Sequence, residues 1–237
     1  MADELTFVHV YPDVLGTYGD SGNVLALTHR AEARGLRCRV VAVGLDEALP
    51  RDADVYVVGG GEDSAQLLAA RALFADDGAA SVFESRPTLA VCAGLQLLSH
   101  SFTDGDGRLH RGLGLLDVEC GRLAERAVGE VVSEPAGLAG LPTLTGYENH
   151  AGDARLGPDA APLGTLVAGT GNGDGATEGA CQGQVVATYL HGPVLVRNPA
   201  LADLLLERST GPLEPFEDDL GEQLRRERLE DAPPGVG

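Results

Sequence analysis

The chain has 237 residues, 43% of them apolar and only 4% aromatic, with 36 acidic groups against 17 basic ones and a formal charge of -19. Such acidity argues against a nucleic-acid footprint. Every basic residue is Arg, so a P-loop, which needs a Lys on the nucleotide phosphates, is excluded, and any ATP chemistry is expected on a partner.

Four scattered cysteines (Cys38, Cys92, Cys120, Cys181) form no C-x-x-C pair or His-spaced cluster, which argues against structural zinc and a disulfide framework. No apolar run approaches the ~20 residues that span a bilayer. Asp3 and Glu4 stand where a secretory signal would carry basic residues, so a cytoplasmic chain is expected.

Leu5 to Tyr11 reads as an opening strand, and Asp20 or Ser21 can cap a helix carrying Val24, Leu27 and Ala31 up to Gly35. Arg39 to Val43 resumes as a strand. The alternation repeats with the strand Val55 to Val58, the turn Gly59-Gly60-Gly61, a helix with Leu67, Leu68 and Ala72, and the strand Thr88 to Val91. Repeated β-α-β units predict an α/β fold whose mostly parallel sheet is flanked by helices.

After Gly112 come shorter apolar runs, Leu113 to Val118, Val128 to Val132, Leu163 to Val167 and Val185 to Leu190, which predict added, partly antiparallel strands on the same sheet. Gly169 to Gly183 reads as a flexible hairpin connection. Asn198-Pro199 opens a final helix with Leu201, Leu204 and Leu205. The expectation is one domain over residues 1–230 and a frayed tail over 231–237.

Cys92 differs from the other cysteines because it falls between a strand, Thr88 to Val91, and a run of helical periodicity beginning at Ala93. A strand-to-helix elbow projects its side chain at a helix N-terminus, which is expected to favour thiolate. Such a turn needs small neighbours, supplied by Ala93 and Gly94, although Ala90 stands where elbows commonly carry Gly. The backbone N–H groups of Gly59-Gly60-Gly61 end the preceding strand and, with that of Ala93, can form an oxyanion hole. Among six histidines, His191 follows the strand Val185 to Leu190 and precedes Gly192-Pro193, so it also projects from a strand end as the candidate base.

Cys92-Ala93-Gly94-Leu95-Gln96, with Gly59-Gly60-Gly61 and Tyr189-Leu190-His191-Gly192, resembles the class I glutamine amidotransferases of the cobyric acid synthase-like branch. Within that branch, Tyr11-Pro12-Asp13, the run Thr17 to Asn23, and Gly146-Tyr147-Glu148-Asn149-His150 are similar to the GatD-type glutaminase subunits of lipid II isoglutaminyl synthases. This likeness extends to about Leu206. It implies a flavodoxin-like amidotransferase fold and no cofactor in this chain. It also implies a MurT-type, Mur ligase-like partner that holds ATP and Mg and amidates D-glutamate of lipid II with ammonia taken from L-glutamine.

Carried over by position, Cys92 is the nucleophile and His191 its acid/base partner. Gly60, with Gly61 beside it, and Ala93 are the oxyanion donors, Gln96 helps hold glutamine, and Arg126 grips the substrate carboxylate. One position departs from the pattern, since Pro193 stands where a full triad has an acid. The orienting acid then comes from Glu148 or from the partner, or the site is a Cys-His dyad, and the isolated chain is expected to turn over slowly. Glu148-Asn149-His150 otherwise reads as a turn or a subunit-facing edge. The alternatives are an amidotransferase serving another acceptor, such as a corrinoid carboxylate, a silent binding module, and a Cys-His hydrolase of another amide.

Overall fold

A computed structural model describes residues 4–17, 19–216 and 218–230. The expected tail, 231–237, and Tyr18 lie outside the described residues. In chain order, Leu5–Val10 (β1) leads to Ser21–Glu32 (α1) and Cys38–Val43 (β2). Val55–Val58 (β3) leads to Asp63–Ala75 (α2) and Ala79–Ser85 (α3), and Thr88–Val91 (β4) to Ala93–Leu98 (α4). Short strands follow, Ser101–Thr103 (β5), Leu109–Arg111 (β6) and Val118–Cys120 (β7), then the long pair Arg122–Pro135 (β8) and Leu144–Gly152 (β9). Next come Arg155–Leu156 (β10), Gly164–Ala168 (β11), Thr177–Glu178 (β12), Ala180–Gln182 (β13) and Val185–Thr188 (β14), followed by the helices Val194–Arg197 (α5), Pro199–Thr210 (α6) and Asp219–Glu230 (α7).

The principal sheet has the order β13-β14-β4-β3-β1-β2. All its pairings are parallel except β13 with β14. Every residue of β3, β4 and β14 is buried, which is why these segments are unbroken apolar runs rather than alternating ones. The α/β expectation therefore holds, as do the first four strands and the helices between them.

The later part differs from expectation in where the antiparallel strands go. They form two separate four-stranded sheets, β10-β7-β5-β6 and β12-β11-β8-β9, and only β13 joins the principal one. Leu113 to Val118 is not a strand before Val118: the N–H groups of Leu113, Leu115 and Leu116 bond to the carbonyls of Leu97 and Leu98. A six-residue helix such as α4 leaves its last carbonyls unmet, and this apolar segment satisfies them. The Gly169 to Gly183 stretch is ordered by β12, β13 and the buried Asn172, whose amide bonds to Thr177 and Gly179. A further helix, α7, follows α6. Among the described residues, no helix is long and apolar enough to cross a membrane.

Candidate active site

Cys92 caps α4 directly after β4, with φ 53 and ψ -103. That conformation is unfavourable for a residue with a Cβ and persists only where the surroundings enforce it. The Cys92 N–H is bonded to the Thr188 carbonyl at 2.8 Å, and its own carbonyl accepts the Gln96 N–H at 3.2 Å, so strand pairing and helix meet at this residue. The turn presses against β3: a Cβ on Gly94 would lie 2.4 Å from the Val58 carbonyl oxygen. Ala90 fits fully buried inside β4.

Cys92 lines a pocket together with Gly61, Glu62, Gln96, Arg126 and His150. Gln96 is buried rather than on the helix surface. Its carbonyl oxygen accepts the Gln66 amide at 2.8 Å, and its own amide donates to the Tyr189 hydroxyl at 3.3 Å. Arg126 lies where the β8–β9 register shifts, and its Nε donates to Asn149 Oδ1 at 2.6 Å. The guanidinium thus reaches the pocket from an antiparallel sheet outside the one that carries Cys92.

His191 stands three residues beyond β14, the parallel neighbour of β4. It is 2% exposed and pairs through its backbone with Tyr147 of β9, at 3.1 and 2.7 Å. Burial, reinforced by the nearby His150 and Arg126, pushes the His191 imidazole down to about 4, so in the isolated chain it is neutral at physiological pH and a weak base.

The segment leading to it hangs from Glu178, which accepts the Thr188 hydroxyl at 2.6 Å and the Tyr189 N–H at 2.9 Å. The Tyr189 ring stacks on His150 at 3.9 Å between centroids. Glu148 directs its carboxylate to the Thr170 and Gly171 N–H groups at 2.8 and 2.9 Å, with the His150 ring at 3.4 Å. Burial works against the charge, but these partners together hold Glu148 below the usual carboxylate range.

The expectation that the helix N-terminus favours thiolate is overturned in the isolated chain. The Cys92 thiol is pushed up to about 12, first by burial and then by the Asp20 carboxylate; the Ala93 N–H and Arg126 oppose the rise, and Glu62 adds to it. A helix of six residues offers too little dipole to offset that desolvation.

Asp20 stands at the N-cap position of α1 as expected, but not as a side-chain cap. Its side chain makes no cap hydrogen bond, and its Oδ2 instead accepts the Gly60 N–H at 2.8 Å. Sequence reasoning did not find Asp20, Gln66, Tyr189 or Glu178 at the site. Two of them carried a signal, Tyr189 through the Tyr189-Leu190-His191-Gly192 motif and Asp20 through the run Thr17 to Asn23.

Residues 6–199 match the CobB/CobQ-like glutamine amidotransferase domain. The lipid II isoglutaminyl synthase (glutamine-hydrolyzing) subunit GatD of Staphylococcus aureus (strain N315) is 35% identical over 91% of this chain and 90% of its own length. The subunit of the same name from Streptococcus pneumoniae (strain ATCC BAA-255 / R6) is 32% identical over 94% and 90%. The cobyric acid synthase of Methylorubrum populi is 36% identical, but over 65% of this chain and only 32% of its own length. Two solved structures share the fold: a glutamine amidotransferase, at TM-score 0.56 and 21% identity over 85% of this chain and 98% of its own, and the glutaminase domain of Trypanosoma brucei CTPS with bound acivicin, at 0.55 and 11% over 90% and 96%.

Proposed function

The chain belongs to the CobB/CobQ-like glutamine amidotransferase family, and from that premise we propose that it is the glutaminase subunit of a lipid II isoglutaminyl synthase, working in the cytoplasm beside a MurT-type partner. The observation that carries the chemistry is the strained Cys92 elbow, held at φ 53 at the wall of a pocket that also bears Gln96 and Arg126. Strain of this kind is kept where it positions a reacting atom. The acceptor assignment rests on the GatD relatives, which match along nine-tenths of both chains, whereas the cobyric acid synthase is matched over a third of its length.

In this reading, neutral His191 takes the Cys92 proton as the sulfur attacks the side-chain carbonyl carbon of L-glutamine. Backbone N–H groups of Gly60, Gly61 and Ala93 stabilise the oxyanion, while Arg126 takes the α-carboxylate and Gln96 shapes the wall that receives the substrate. The tetrahedral adduct collapses with His191 returning the proton to the departing ammonia. Water, deprotonated by His191, then opens the thioester to glutamate and restores the thiol. Ammonia passes to the partner, which holds ATP and Mg and activates the carboxyl of D-glutamate in lipid II, giving D-isoglutamine.

The test is reconstitution with the Mur ligase-like subunit, lipid II, ATP and glutamine, followed by mass analysis of the lipid. Amidated lipid II is expected. Cys92→Ser is expected to abolish amidation from glutamine, a loss of at least ~1000-fold, and to retain amidation from high free ammonia. Unchanged D-glutamate from both nitrogen sources with the wild-type pair sinks the acceptor assignment.

A further inference from the structure

Glutamine hydrolysis needs backbone donors aimed at the oxyanion, and the Gly60 N–H is one of those assigned to it above. In this structure it is already taken, at 2.8 Å, by the Asp20 carboxylate. Asp20 is 2% exposed, forty residues away in sequence, and stands at the N-cap position of α1 without a side-chain cap hydrogen bond. A capping Asp stabilises a helix, whereas burying a carboxylate carries a cost. Asp20 forgoes the first and incurs the second in order to hold Gly60.

The contact is close. A Cβ on Gly59 would lie 2.9 Å from the Asp20 side chain and 2.3 Å from the Leu15 carbonyl oxygen, so only glycine lets the two segments meet. The same carboxylate stands near enough to Cys92 to disfavour its thiolate.

Asp20 is also tied to the base. Asn23 donates to Asp20 Oδ1 at 3.3 Å and accepts the Leu195 N–H at 2.9 Å. Pro193 packs so tightly on Gly22 that a Cβ there would lie 2.2 Å from the proline ring. The N-terminus of α1 and the segment from His191 to Leu195 therefore pack directly on each other, so that a displacement of one bears on the other.

We propose that Asp20 is a latch on the oxyanion site: it occupies the Gly60 N–H in the isolated chain, and catalysis requires a shift of the α1 N-terminus that returns this donor to the reaction. The inference rests on the amidotransferase reading. Asp20 is a positioning residue here, acting through Gly60 and not on glutamine. It predicts slow turnover of the subunit alone, because the occupied Gly60 donor and part of the rise in the Cys92 thiol, which comes first from burial, trace to the same neighbour. It also gives a partner pressing on α1 or the His191 segment a physical means to switch hydrolysis on.

The test uses the purified full chain without partner, measuring glutamate release and the rate at which 6-diazo-5-oxo-L-norleucine, a glutamine-shaped electrophile, labels Cys92. Asp20→Ser is expected to raise kcat by ~10-fold or more with KM nearly unchanged, since a freed donor acts on the oxyanion and not on ground-state binding. Asp20→Asn keeps an acceptor while removing the charge and is expected to give a smaller rise. Should Asp20→Ser fail to fold, as judged by its melting curve, the isosteric Asn variant decides: a rise supports the latch and no rise overturns it. A folded Asp20→Ser that is equal to or slower than wild type overturns it too, as do equal rises in both variants. Wild-type turnover without acceleration in the variants defeats the latch alone. If no form releases glutamate or is labelled in excess of a Cys92→Ser control, the amidotransferase reading falls and the latch with it.

Discussion

Cys92 and His191 follow neighbouring parallel strands, β4 and β14, but their surroundings are assembled differently. The Cys92 turn is built from its own strand and helix, with Gly94 pressed on β3 and a single backbone bond to β14. The His191 segment is built from a distance: Glu178 of β12 holds Thr188 and Tyr189, His150 of β9 stacks on Tyr189, and Tyr147 of β9 pairs with His191 itself. A nucleophile whose geometry is local can be set before the rest of the site forms. A base whose geometry is remote stays open to adjustment, which suits a subunit that works with a partner.

The largest effect is expected where the local turn has no slack. Gly94→Ala places a methyl group 2.4 Å from the Val58 carbonyl oxygen, a backbone atom that cannot yield without moving β3. A loss of ~3 kcal/mol in urea unfolding is expected, together with loss of Cys92 labelling. A variant as stable as wild type would mean that β3 and the turn adapt to each other, and the elbow would no longer count as rigidly local.

On the remote side, Glu178 tests the His191 support through pH. Burial pushes its carboxyl up to about 7, against an ordinary value of 4.5; its hydrogen bonds to Thr188 and Tyr189 oppose the shift and the charge of Glu148 adds to it. A raised folded pKa means that stability is fully present below pH 4.5 and is lost as pH rises through 7, because the unfolded chain releases this proton first. Glu178→Gln keeps the acceptor oxygen and removes the titration. Its stability relative to wild type is expected to grow by ~2 kcal/mol between pH 5 and pH 8, read from urea midpoints at each pH. A constant difference across that range would show that Glu178 does not take up its proton in the folded chain.

The same contrast explains what the sequence disclosed. β3, β4 and β14 are short apolar runs because both faces are covered, and Cys92, Ala93 and Gly94 announce an elbow because small residues sit where backbones touch. Local pattern suffices for such features. It does not reveal which distant segment a side chain will meet, so Asp20 resembled a helix cap and Gly169 to Gly183 a plain connection, although Asp20 binds Gly60 and the latter stretch carries Glu178. The expected thiolate failed for a related reason, because burial and the Asp20 charge are tertiary effects that the helix start does not disclose. The separate antiparallel sheets were equally hidden, since short apolar runs indicate strands without stating which sheet they join.

The smallest effect expected is also the most direct measure of the elbow. At φ 53 and ψ -103 a side chain bears a backbone penalty that glycine escapes, and Cys92 is the only residue in its turn with this conformation. Cys92→Ala removes the sulfur and keeps the penalty, while Cys92→Gly removes both and adds backbone freedom to the unfolded chain. These last two terms oppose each other, so the Gly variant is expected to exceed the Ala variant by ~1 kcal/mol in urea unfolding, the reverse of their order at an ordinary buried site. If alanine proves the more stable, the strain at Cys92 is smaller than the entropy glycine costs, and the elbow owes its position to packing against β3 alone.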